Sequence, residues 1–101
     1  MENLENTWYH EEVFKQNGDP RKWVIQVMKY INKNPGKIKS RIVERACNIK
    51  PHNLRRSWHR LHVFDAYLVP MGYLYSMDGV SEKGRPATLY YITQKGKELI
   101  R

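Results

Sequence analysis

A single cysteine, Cys47, has no partner within the chain, which excludes a disulfide-stapled secreted scaffold and suits a reducing cytoplasm. Long apolar runs are missing as well. The longest, residues 63–75, is interrupted by Asp65, Pro70 and Gly72 and falls short of the roughly 20 apolar residues that a membrane-spanning helix needs. The first residues, with Glu2, Glu5 and Asn6, have neither a basic start nor an apolar stretch, so no secretory signal is expected. No glycine-rich phosphate loop follows a strand pattern, which leaves nucleotide hydrolysis unsupported. With 101 residues there is no room for a cofactor domain beside a substrate domain. The expectation is a cytoplasmic domain that is not an enzyme and uses no cofactor.

Acidic residues are also scarce, but unevenly. The chain has 18 Lys and Arg against 10 Asp and Glu, a formal charge of +8. Residues 21–60 hold twelve basic side chains and one acid, Glu44, whereas residues 1–19 hold five acids and one lysine. So lopsided a block attracts polyanions, and counterion release from nucleic acid would make binding depend strongly on salt. A merely solvated surface is the alternative.

Punctuation divides the chain at Asn17-Gly18-Asp19-Pro20, where Gly18 suits a helix end, Asp19 a cap and Pro20 a first helical position. Residues 1–19 are read as an N-terminal helical extension and a candidate dimerisation element, residues 20–101 as the main domain. From 21 to 34 the period is helical, with Val24, Val27, Met28 and Ile31 on one side and Lys22, Gln26, Lys29 and Lys33 on the other. Pro35-Gly36 ends that helix. A second is expected over residues 37–47, its apolar face Ile38, Ile42 and Ala46 with Val43 at the margin, its outer face Lys37, Ser40, Arg41 and Glu44. A tight connection, Asn48-Ile49-Lys50, leads to Pro51 and a third helix.

In the third helix Leu54, Trp58, Leu61 and Leu68 share a side, and His52, Arg55, Arg56 and His59 point away from them. Beyond His62 the pattern blurs, because Asp65 enters the core side while Val63, Ala66 and Tyr67 carry apolar residues onto the polar one. The helix is expected to end near Val69 or to enter a second contact surface there. Residues 73–77 and 87–93 then read as two strands joined by a long basic tip, Asp78 to Pro86, made flexible by Gly79 and Gly84. Thr93 is placed to cap a short last helix that Gly96 weakens. The fold class is α+β, mostly helical.

Donors at i, i+3, i+4 and i+7 on a helix following a tight turn suit the major groove, which is about 12 Å wide and admits one helix. Arg pairs with guanine, and Asn53 would pair with adenine after a slight rotation of the helix. At this point residues 46–61, with Ile49, Leu54, Trp58 and Leu61 at the apolar positions, resemble the turn and recognition helix of winged-helix transcriptional regulators. Residues 84–99, with Gly84-Arg85-Pro86, the pair Tyr90-Tyr91, Thr93 and Lys95-Gly96 in order, are similar to the end of the wing and the following helix in PadR-like and related regulators. The resemblance covers about residues 21–101. It implies a winged helix-turn-helix with a three-helix core, a two-stranded wing hairpin and a short C-terminal helix. It also implies that the helix from Pro51 enters the major groove and that Lys83 and Arg85 lie along phosphates or the minor groove.

The candidate DNA-binding set is therefore His52, Asn53, Arg55, Arg56, His59 and Arg60 on the third helix, Lys37, Ser40 and Arg41 on the second, and Lys83 and Arg85 on the hairpin. His59 and His62 have a helical i, i+3 spacing but no second ligand pair, so no metal site is expected. Cys47 reads as a small thiol packed beside Ala46. The first reading is a sequence-specific regulator of transcription on double-stranded DNA. A DNA-spreading structural protein is the alternative, on a looser resemblance to winged-helix proteins that partition archaeal plasmids; RNA binding and a protein-interaction role are weaker readings. A homodimer on a two-fold site is expected, since Leu4, Trp8, Val13 and Phe14 together with Val63, Tyr67, Tyr73 and Tyr75 exceed what one small core buries.

Overall fold

Valine, methionine and isoleucine at helical spacing build the first element. A computed structural model describes the backbone of residues 20–101 and the side chains of residues 23–54 and 60–101. Helix α1 (Pro20–Lys33) buries Trp23, Val24, Val27, Met28 and Ile31 and leaves Gln26 and Lys29 in solvent. It packs on α2 (Lys39–Ala46), which contributes Ile42 and Val43, both fully buried. Val43, expected at the margin, thus belongs to the core. Asn48 turns the chain in the left-handed region (φ 54°) after α2, a conformation asparagine accepts more readily than most residues.

The third helical run changes geometry twice. Residues Pro51–Ser57 form a 3-10 helix, Trp58–Val63 an α-helix (α3), and Phe64–Leu68 a π-helical turn. The wide turn is closed by hydrogen bonds from Val69 N to Phe64 O (2.9 Å) and from Tyr73 N to Leu68 O (2.9 Å). It explains the blurred periodicity after His62. Extra residues per turn rotate Phe64, Tyr67 and Leu68 into the core and swing Asp65 out to the surface, the reverse of what an α-helical wheel predicts for Tyr67 and Asp65. Val63, Tyr67 and Tyr73 are therefore buried within one copy. That removes them from the surplus that motivated a dimer; Leu4, Trp8, Val13 and Phe14 lie outside the described residues.

Strands β1 (Leu74–Val80) and β2 (Pro86–Ile92) pair antiparallel with Leu74 opposite Ile92 and Val80 opposite Pro86. The strands run further than the sequence suggests, and the connection is the short turn 81–85. Gly79 pairs with Ala87 inside the sheet, where a side chain would meet Leu89 Cδ1, so it is no part of a flexible tip. Ser81 N donates to Arg85 O (2.8 Å) and Gly84 N to Ser81 O (2.9 Å), with Gly84 at φ +79°. Among the described residues the architecture is α+β: four α-helices around one core, with a two-stranded antiparallel hairpin. No helix among the described residues is long and apolar enough to cross a membrane.

Contacts between residues distant in sequence hold the hairpin and the last helix, α4 (Gln94–Leu99), to this core. Tyr90, buried and edge-on to Phe64, donates its hydroxyl to Asp65 Oδ1 at 2.6 Å, and Lys39 Nζ donates to Asp65 Oδ2 at 2.7 Å. Thr93 caps α4 by accepting from Gly96 N (3.0 Å) while its hydroxyl donates to Gly72 O (2.6 Å). Gly96 itself is buried, and a Cβ there would press against the Tyr73 carbonyl oxygen and meet Ile92 and Met28 side chains. Far from weakening α4, this glycine permits its approach to the core.

Gly96→Ala normally gains about 1 kcal/mol of helix propensity. Here we expect a loss of about 2 kcal/mol, because the methyl overpacks against backbone; chemical denaturation measures it, and a stabilised variant would place α4 elsewhere. Asp65 and Tyr90 also set pH limits. Burial raises the Asp65 carboxyl pKa, but hydrogen bonds from Lys39 and Tyr90 and the charges of Lys39 and His62 outweigh it and hold the value below normal. Burial, then the Asp65 bond and charge, push the Tyr90 phenol well above its ordinary value. The Asp65 contribution is thus complete above its ordinary pKa of about 3.9 and lost as pH falls through the lower folded value. The Tyr90 contribution is complete below about 10 and lost as pH rises through the higher folded value. The Asp65 side chain is 50% exposed, so Asp65→Asn should cost only about 1 kcal/mol at neutral pH. It should also flatten the acid limb of stability against pH; an unchanged limb would contradict the assignment.

Candidate nucleic-acid interface

Lys37 does not begin a helix. Gly36 N donates to Tyr90 O (2.9 Å) and Tyr90 N to Lys37 O (3.0 Å), an isolated antiparallel bridge that adds residue 37 to the β2 side of the hairpin. Helix α2 starts two residues later than the sequence suggests because Lys37 is held extended by this bridge. Gly36 takes φ +79°, with Tyr91 Oη 3.1 Å from where a Cβ would stand, so both conformation and space call for glycine.

The bridge draws the hairpin turn over the start of α2. Between them lies a groove of about 530 Å³ lined by Lys37, Ser40 and Arg41 on one bank and by Lys83 and Arg85 on the other. These are all the candidate residues outside the third helix, and they come from parts of the chain some 40 residues apart. Lys83 and Arg85 are exposed; Lys37, Ser40 and Arg41 are half-buried. Ile38, Val80 and Leu89 add apolar side chains to the lining. The sequence did not signal that apolar lining or Glu82 in the turn, whereas Glu44, expected on the outer face of the second helix with Lys37, Ser40 and Arg41, does line the groove beside them. Glu82 Oε1 lies 3.4 Å from Lys37 Nζ, and Glu82 Oε2 lies 3.5 Å from Arg41 Nη2. Nothing in local sequence signals those pairs, since they depend on the bridge at Tyr90.

The third-helix candidates fare differently. His52 is exposed and Asn53 half-buried, its backbone N donating to Lys50 O at 2.9 Å. Both sit on 3-10 backbone. That backbone has about three residues per turn, so the α-helical spacing assumed for this run does not hold before Trp58. The side chains of Arg55, Arg56 and His59 lie outside the described residues. Arg60 is half-buried with its guanidinium carbon 5.6 Å from the centre of the buried Trp23 ring. This cation–π contact turns Arg60 toward the core.

Cys47 packs at the end of α2, where burial pushes its thiol up and Arg60 only partly offsets that. It stays protonated near neutral pH and is a poor nucleophile. Among the described residues no three His, Cys, Asp or Glu side chains converge as a metal site would require. Compared with family models, with curated proteins and with solved structures, the chain matches none of them.

Proposed function

We propose that the chain is a winged helix-turn-helix domain that binds double-stranded DNA, most simply as a sequence-specific transcriptional regulator. The hairpin is the wing, Lys37 supplies the short third strand at its base, α2 and the run from Pro51 are the helix-turn-helix. The observation that carries this reading is the shared groove, which gathers Lys37 and Arg41 beside α2 with Lys83 and Arg85 from the turn. Cations on two elements a groove apart suit a polyanion whose phosphates repeat along a line. Arg55, Arg56 and His59 are assigned to base edges on residue type and on their place after the tight turn, with His52 and Asn53 at the start of the run. No catalytic role is proposed.

Selection of bound duplexes from a random pool, followed by footprinting, tests the reading. A regulator enriches one motif and protects a bounded site; a footprint that widens with protein concentration would favour a spreading partition protein instead. RNA of the same sequence that competes as well as duplex DNA would move the assignment to RNA.

Lys37→Ala and Arg41→Ala should each weaken binding to all sequences alike and reduce the slope of log K against log salt by about one. An unchanged slope would take that side chain off the phosphates. A homodimer on a two-fold site is also proposed, its half-sites roughly 34 Å apart. Among the described residues the large exposed hydrophobics are Tyr75, Met77 and Val80, all on β1. Sedimentation at micromolar concentration should give twice the 12.1 kDa chain mass; a monomer both free and on DNA would contradict the dimer.

A further inference from the structure

Glu82 is out of place in a groove built to attract phosphate. It points one carboxylate oxygen at each of two cations, Lys37 at 3.4 Å and Arg41 at 3.5 Å. The carboxylate is 60% exposed, and the Lys37 and Arg41 side chains are 35% and 32% exposed, so the acid lies over the cations from the solvent side. A phosphodiester would present the same pattern to them: two anionic oxygens on one atom, sharing one negative charge.

Resting on the DNA-binding reading, we propose that Glu82 is an internal substitute for a backbone phosphate, an autoinhibitory clip that occupies Lys37 and Arg41 until a polyanion displaces it. The clip is weak enough to open. Exposed ion pairs contribute little in water and less in salt. A duplex, in contrast, brings many phosphates and gains from counterion release. Opening requires no unfolding of the hairpin, because the turn is closed by backbone hydrogen bonds of Ser81, Gly84 and Arg85 in which the Glu82 side chain takes no part. Rotation of that side chain suffices. A single small anion competes poorly with a tethered carboxylate, whereas a polyanion held also by Lys83 and Arg85 competes well, so the clip selects for extended ligands.

The test is a double-mutant cycle on the full chain, with duplex binding followed by fluorescence anisotropy over a range of salt. Glu82→Gln should bind about three- to tenfold tighter than the parent at low salt. The gain should vanish when Lys37 and Arg41 are both alanine. Glu98→Gln, which removes the same charge from α4, should give a smaller gain. No gain for Glu82→Gln, or a gain that survives without the two cations, overturns the clip. If the parent and Glu82→Gln bind no duplex at any salt, the DNA reading fails, and tripolyphosphate becomes the probe. Larger amide shifts at residues 37–41 in Glu82→Gln than in the parent then support the clip alone, and equal shifts overturn it. Denaturation curves of all variants confirm that the fold is retained.

Discussion

Tyr90 joins three parts of the chain that are distant in sequence. Its ring is buried edge-on against Phe64 with centroids 5.2 Å apart, its hydroxyl donates to Asp65, and its backbone pairs with Gly36 and Lys37. Burial of such a ring stabilises by about 1.5–3 kcal/mol, and a hydrogen bond to a charged carboxylate by a similar amount before discounting for exposure. This attachment, together with the burial of Tyr73 and Leu74 at the base of the hairpin, sets the hairpin turn beside α2, where Lys83 and Arg85 line one groove with Lys37 and Arg41.

Asp65 has a second consequence for the electrostatics. By engaging Lys39 at 2.7 Å it neutralises one cation of the basic block on the α3 side, while Lys37 and Arg41 remain on the groove side. The basic residues of 21–60 are therefore not equivalent. Lys39 and Arg60 are committed to internal contacts, and Lys37 and Arg41 face a carboxylate that rotation of one side chain can remove.

What the sequence revealed was whatever depends on neighbours along the chain. Val24, Val27, Met28 and Ile31 repeat at helical spacing, and α1 lies within a residue of where they put it. Thr93 capped the last helix for a similarly local reason. Long-range contacts were not legible. Lys37 read as helical because nothing nearby says that Tyr90 will hold it extended, and Gly96 read as a defect because the Tyr73 carbonyl that requires it lies on another element. The change from 3-10 to α to π geometry over residues 51–68 defeated a single-period wheel, which misplaced Asp65 and Tyr67. For the site, the cations beside α2 and in the turn were visible as a list of charges, but their convergence, and Glu82 between them, were not.

We propose that the start of α2, the run from Pro51 and the hairpin turn together meet duplex DNA. Amide chemical-shift mapping of the labelled chain with a selected duplex tests it most directly. The expected shifts are concentrated at residues 37–41, 51–60 and 81–85, with the exposed strip of Tyr75 and Met77 and the helix α4 little changed. Shifts confined to β1 or α4 on saturation, or no shift at low salt, would contradict it.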